Sequence, residues 1–195
     1  MTTAAAHESE TTHVCPWWIG YLMTSPIRRL YENPDRILGP FARPGMTILD
    51  LGCAMGFFSL PLARMVGDSG RVVCVDVQSR MIEGLRRRAR RAKVDDRIEP
   101  IVCSGADFGL SAWEGKIDLV AAIHVIHETR DIGGAFRQLF RVLKPGGQVL
   151  FLEPKGHVSP ADFAASLAAA QEAGLVPERE LSRRGNHGRI LTKPR

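Results

Sequence analysis

The sequence predicts an open α/β sheet, doubly wound and mostly parallel, with helices on both faces. Three observations carry that prediction. Ile48-Leu49-Asp50-Leu51 runs apolar into an acid and stops at Gly52-Cys53-Ala54-Met55-Gly56, a tight turn feeding a helix from about Ser59. A second apolar run, beginning at Arg71, closes on Asp76, twenty residues after Gly56. A third run, Ile117 to Ile123, is nearly continuous apolar, as a strand buried on both faces must be.

Length and composition set the outer bounds. With 195 residues the chain is expected to form one main domain with a substantial core. Hydrophobic residues make up 45% and charged residues 24%, values ordinary for a globular fold. No apolar run reaches the roughly 18 residues that span a bilayer. The N-terminus lacks the basic start and apolar centre of a secretory signal. A cytoplasmic protein without a membrane partner is therefore expected. Cys15, Cys53, Cys74 and Cys103 are widely spaced and contain no C-x-x-C, so they read as reduced apolar fillers.

Residues 1–14 are small, polar and aperiodic, and predict a disordered N-terminus. Residues 15–44 predict a helical lid segment rich in aromatics. Trp17, Trp18 and Tyr21 cluster ahead of a short helix capped by Ser25 with Pro26 at its first position and Tyr31 on it. Asn33-Pro34-Asp35 starts another helix, carrying Ile37, Leu38 and Phe41. Two readings of the aromatics stand together. They seal an edge of the sheet, or they cover a bound ligand.

Residues 45–195 form the main unit. Pro44-Gly45 turns into the first strand. The helix from Ser59 tolerates Pro61 because it lies in the first turn, and it ends at Gly67. The second strand covers 71–77. Ser79 is expected to cap the next helix, whose apolar positions are Met81, Ile82, Leu85, Ala89 and Ala92. The third strand runs from Ile98 to about Cys103 and the fourth from Ile117 to Ile123. A helix follows over about Ile132 to Leu143, then a sharp turn, Lys144-Pro145-Gly146-Gly147, then a fifth strand, Gln148 to Glu153. Ser159-Pro160-Ala161-Asp162 opens the last helix. Two short strands finish the chain, near 176–181 and 188–192.

In such sheets ligands bind beyond the carboxyl ends of the strands. A glycine turn followed at this distance by an acid is the geometry of an adenosine-containing cofactor, with the acid accepting hydrogen bonds from a ribose. The dinucleotide fingerprint G-x-G-x-x-G is not met, because its positions hold Gly52, Ala54 and Phe57. The spacing Asp50, Gly52, Ala54, Gly56 instead resembles the first motif of class I S-adenosylmethionine-dependent methyltransferases, D/E-x-G-x-G-x-G. Ala54 stands where that family has its middle glycine. Leu143-Lys144-Pro145-Gly146-Gly147 is similar to a segment before the fifth strand in the family's small-molecule members. The resemblance spans about residues 44–193. It implies a seven-stranded sheet ending in an antiparallel pair, and S-adenosylmethionine as cofactor.

The resemblance also implies site residues. Asp50, Gly52, Ala54 and Gly56 would serve the methionine half of the cofactor, and Asp76 with Val77 the ribose side. Ser104, Gly105 and Asp107 would lie by the adenine, and Ile123 would close the pocket. The methyl acceptor, a small molecule reacting at oxygen, nitrogen or activated carbon, would meet the last two strand ends. His124 and His127 are the candidate bases. Glu128, Glu153 and His157, with Trp17, Trp18, Tyr21 and Tyr31, are candidate substrate contacts. His124, His127 and His157 with an acid have the residue types of a metal site, but their spacing matches no zinc motif and none is expected.

Two other readings remain. The net charge of +5 is concentrated in Arg86-Arg87-Arg88-Ala89-Arg90-Arg91, which in an RNA methyltransferase would hold the acceptor. No aromatic residues interleave those arginines, so a solvated helix face is expected in place of a nucleic-acid partner. A non-enzymatic cofactor-binding or scaffold protein is the other reading, because Ala54 breaks the glycine motif. The sequence leaves the oligomeric state open.

Overall fold

The computed structural model describes residues 24–195, apart from residues 26 and 184. Expectations for residues 1–14 and for Cys15, Trp17, Trp18, Tyr21 and Pro26 lie outside the described residues. Two short helices come first, α1 (Arg28–Tyr31) and α2 (Pro34–Leu38). α2 starts as expected, with the Asn33 side chain accepting the amides of Asp35 and Arg36. Phe41 falls beyond its end. α1 corrects the sequence reading. Its N-cap is Ile27, and the Ser25 hydroxyl accepts the Ile27 amide at 3.3 Å, closing a local turn in place of a cap.

The main unit follows as β1 (Thr47–Leu51), α3 (Ser59–Val66), β2 (Arg71–Asp76), α4 (Ser79–Ala92), β3 (Ile98–Val102), β4 (Ile117–Ile123), α5 (Ile132–Val142), β5 (Leu143–Pro154), α6 (Pro160–Glu172), β6 (Val176–Glu180) and β7 (Asn186–Thr192). The seven strands form one sheet in the order β3-β2-β1-β4-β5-β7-β6. β1 to β5 run parallel, while β7 is antiparallel to both β5 and β6. This is the doubly wound sheet that the sequence predicts. Among the described residues no helix is long and apolar enough to cross a membrane.

Alternation along β1 explains the two layers. Ile48 belongs to the core under α2, α3 and α4, with Leu38, Leu62 and Leu85. Leu49 and Leu51 belong to the opposite core under α5 and α6, with Phe136, Leu139 and Phe163. A strand turns successive side chains to opposite faces, so Asp50 falls on the side of Ile48. An acid in that apolar layer needs a partner.

Two further expectations are corrected. Ser79 is the first residue of α4, not its cap. The N-cap is Gln78, whose amide is held by the Asp76 carboxylate at 2.9 Å. The turn at Lys144–Gly147 lies inside β5. Leu143 pairs with Ile117 and Gln148 with Leu119, so the glycines form a bulge within the ladder.

Candidate active site

β1 ends in a loop curled over its neighbour. The amides of Gly52 and Cys53 both donate to Val75 O, at 2.9 and 3.0 Å. Gly52 and Gly56 adopt φ of +69° and +83°, which side chains resist. Each also lacks room for a Cβ. At Gly52 it would meet Val125, and at Gly56 the methyls of Leu85 and Leu60. Gly56 is buried, so its small size is needed for the packing of the helices around it. Ala54 sits between them at φ +46° and donates its amide to Asp76 Oδ2 at 2.9 Å.

Asp50 is 2% exposed, and its Oδ2 accepts the Ser59 hydroxyl at 2.5 Å. Burial pushes its carboxyl up to about 7. The Ser59 bond opposes that rise, and the nearby Asp76 charge adds to it. Asp76 is also raised, first by burial, against the amides of Gln78, Ala54 and Val77. Both acids therefore sit where a cation would be welcome.

The loop after β3 holds Ser104, Gly105 and Asp107. Ser104 Oγ accepts the Asp107 amide at 3.1 Å, and Asp107 Oδ1 accepts the Gly109 amide at 2.9 Å. The Asp107 carboxylate thus already shapes its own turn. Gln138 of α5 pins this loop, donating to Ala106 O and accepting from Phe108 N, each at 2.9 Å. Gly105 stands against Val77, which is partly exposed at the end of β2.

At the end of β4, Ile123 is buried and His124 takes φ +59°. His124 Nε2 lies 2.6 Å from Asn186 Oδ1 and 3.6 Å from Glu32 Oε1. Glu32 Oε2 pairs with Arg28 at 2.7 Å, whereas its buried Oε1 has no hydrogen-bond partner among the described residues. The Arg28 guanidinium lies 4.2 Å above the centre of the Phe57 ring, in the loop before α3. Sequence reasoning missed Glu32, Arg28 and Asn186 as neighbours of the site. The i,i+4 spacing of Arg28 and Glu32 signalled their pairing, but nothing local signalled His124.

His127 lies in a 3-10 turn, Ile126–Glu128. Its Nδ1 is 2.5 Å from Glu153 Oε2, and its amide donates to Glu153 Oε1 at 3.2 Å. Glu153 is 1% exposed, so it faces His127 and not the solvent. The His157 ring stands edge-on to that of His127 at 5.9 Å. Glu128 ends the turn and is exposed, and Tyr31 is 88% exposed. His124 and His127 point to different partners and share no helix face. Among the described residues no three His, Cys, Asp or Glu side chains are grouped to hold a metal.

Residues 42–182 match the family model described as a methyltransferase domain. The chain belongs to that family. It is 33% identical to the ubiquinone/menaquinone biosynthesis C-methyltransferase UbiE of Vibrio parahaemolyticus over 132 residues, 68% of this chain and 50% of that relative. The chain thus spans about half the length of the curated relatives it matches. Its methyltransferase domain superposes on the crystal structure of a SAM-dependent methyltransferase from Aquifex aeolicus with a TM-score of 0.82. Identity is 21%, over 92% of this chain and 100% of that one. A putative S-adenosyl-L-methionine-dependent methyltransferase from Methanococcus maripaludis gives 0.78 at 16% identity, over 96% and 97%.

Proposed function

We propose that this domain transfers the methyl group of S-adenosylmethionine to a small-molecule acceptor. One relationship carries the reading. Asp50 and Asp76 lie at the carboxyl ends of the neighbouring parallel strands β1 and β2, beside the β1/β4 switch in strand order. The Gly52–Gly56 loop is tied to Asp76 through Ala54.

The residues fit the cofactor. Asp76 Oδ1 accepts the Gln78 amide and Oδ2 the Ala54 amide, with the Val77 amide also donating to the carboxylate, and the roughly four acceptor sites of a carboxylate leave room for a ribose hydroxyl. The Asp76 charge acts on both Asp50 and Glu128 at this edge, and Glu153 acts on Glu128. Such an edge attracts a molecule bearing a sulfonium and an ammonium and repels a pyrophosphate. Asp50 orients the ammonium, the Gly52–Gly56 loop takes the methionine half, and Asp76 with Val77 takes the ribose. Ser104, Gly105 and Asp107 border the adenine, and Ile123 walls the pocket beneath. When bound, the cofactor supplies an electrophilic methyl group on a positively charged sulfur. The chain's part is to align the acceptor and exclude water. The name of the Vibrio relative supports a small acceptor, with carbon as one candidate atom.

Calorimetric titration with S-adenosylmethionine and S-adenosylhomocysteine tests the reading. Binding near micromolar, lost in Asp76→Ala, is expected. No binding to the wild type would remove it in favour of a scaffold role.

A further inference from the structure

Glu153 has a burial that a substrate contact would not need. Its carboxylate is 1% exposed, and among the described residues both of its hydrogen bonds go to His127, one to Nδ1 and one to the amide. A buried carboxylate aimed at one imidazole fixes that ring twice. It sets the orientation, because backbone and side chain are held by the same group. It also sets the tautomer, because Nδ1 must carry the proton that the carboxylate accepts. The lone pair then sits on Nε2. That atom makes no hydrogen bond among the described residues, and the His127 side chain keeps 21% of its surface exposed. His124, the other candidate base, differs. Its Nε2 is already engaged by Asn186 and faces Glu32.

We infer that Glu153 is the positioning residue of a Glu153–His127 pair, with His127 Nε2 the base that takes a proton from a phenol-like hydroxyl on the acceptor. This rests on the methyl-transfer reading above and adds the acceptor class. The acceptor O–H bond breaks and its proton goes to Nε2. The oxygen lone pair forms the new O–C bond to the methyl group, and the S–C electron pair stays on sulfur. The imidazolium afterwards returns its proton to water. Phenols fit because their pKa, about 10, lies within a few units of an imidazole held above its usual range. Aliphatic alcohols are far weaker acids. Thiols reach the anion without such help.

Glu153 from β5 faces the ring, Glu128 adjoins it on the same turn, and His157 approaches its edge from the segment after β5. The Glu153 hydrogen bond raises the imidazole above its ordinary value, against partial burial. The base form therefore exists only above that raised value. Methyl transfer should rise with pH through it.

Two measurements test the pair. The first is the proton NMR titration of the His127 ring in the free protein, assigned by comparison with His127→Asn. Glu153→Gln should move the midpoint to lower pH. The second is kcat/KM with a series of substituted phenols against pH. Glu153→Gln should move the acid limb to lower pH and lower the plateau about tenfold or more. His127→Asn should abolish the limb and lower the plateau about a hundredfold or more, with cofactor affinity kept. An unchanged titration and limb in Glu153→Gln would overturn the pair, as would wild-type inactivity toward every phenol in the series. If calorimetry finds cofactor binding in either case, only this inference falls. If no cofactor binds, the methyl-transfer reading falls with it, while the NMR titration still reports on the Glu153–His127 contact.

Discussion

The amide of Ala54 donates to Asp76 Oδ2 at 2.9 Å, and Ala54 holds that bond from the left-handed region at φ +46°. The first loop and the acid of the second strand are thus one unit. For an L-residue this conformation costs roughly 1–2 kcal/mol. Glycine would relieve it but would return about 0.4–1 kcal/mol through the freer unfolded chain. Ala54→Gly is therefore expected to stabilise the fold by about 0 to 1.6 kcal/mol and to leave the hydrogen bond intact. Ala54→Val, β-branched, should destabilise by about 1 kcal/mol or more. Urea denaturation of the three proteins checks the order. A loss of stability in Ala54→Gly would contradict the strain argument.

Gly56 and Gly52 differ in burial and in what crowds them. Gly56 is buried, and a Cβ there would strike Leu85 of α4 and Leu60 of α3. Two helices would have to move, on top of the cost of φ +83°. Gly56→Ala should cost about 3 kcal/mol or more. Gly52 is exposed, and its added Cβ would meet only the half-buried Val125 side chain. Gly52→Ala should cost less in thermal denaturation but weaken cofactor binding more per unit of stability lost. Equal stability losses would place both glycines in the same role.

Periodicity carried the architecture because each β-strand core position is a local choice. Val72 to Val75 and Ile117 to Ile123 read as apolar runs, and they lie in interior strands of the sheet, the latter at its centre. The α3 boundaries were equally legible from Ser59 and Gly67. Contacts between distant residues were not. Glu153 read as a strand-end polar group facing a ligand, whereas the structure turns it onto His127, 26 residues away in sequence. The bond from the His124 ring to Asn186, 62 residues away, had no local signal either. Ser79 failed as a cap because the helix starts one residue earlier, with Gln78 O already accepting the Met81 and Ile82 amides.

Arg28 joins the N-terminal helices to the glycine loop. Its guanidinium stacks on Phe57 and pairs with Glu32, whose other oxygen faces His124. The cation–π contact is worth about 0.5–2 kcal/mol and the partly buried ion pair adds to it. Arg28→Ala leaves Glu32 a buried charge without its cation. The segment 28–38 should then exchange amide hydrogens at least tenfold faster, while β1 and β4 stay protected. Hydrogen exchange read by mass spectrometry checks this. Uniform protection across the segment would mean that Leu38 and Ile37 alone hold it down.

Asp50 gives a pH signature that can be separated from the rest of the fold. Its carboxyl lies near 7 in the fold, against an ordinary 3.8, chiefly because it is buried. The folded protein therefore keeps a proton that the unfolded chain releases between those values. Stability from this group is full below about pH 3.8 and is lost as pH rises toward 7, by an amount on the order of 4 kcal/mol. Asp76, also raised, contributes in the same direction. Asp50→Asn keeps an oxygen for the Ser59 hydroxyl and removes the titration. The variant should be more stable than wild type at pH 8, and the gap should close toward pH 4. Under the proposed reading, the cofactor's ammonium draws Asp50 to its carboxylate form, so binding near pH 6.5 releases a proton from the wild type. Calorimetry in buffers of different ionisation enthalpy measures that release, and Asp50→Asn should abolish Asp50's share. If the variant released as many protons as the wild type, the ammonium would have to be held elsewhere, and Asp50 would be a purely structural partner of Ser59.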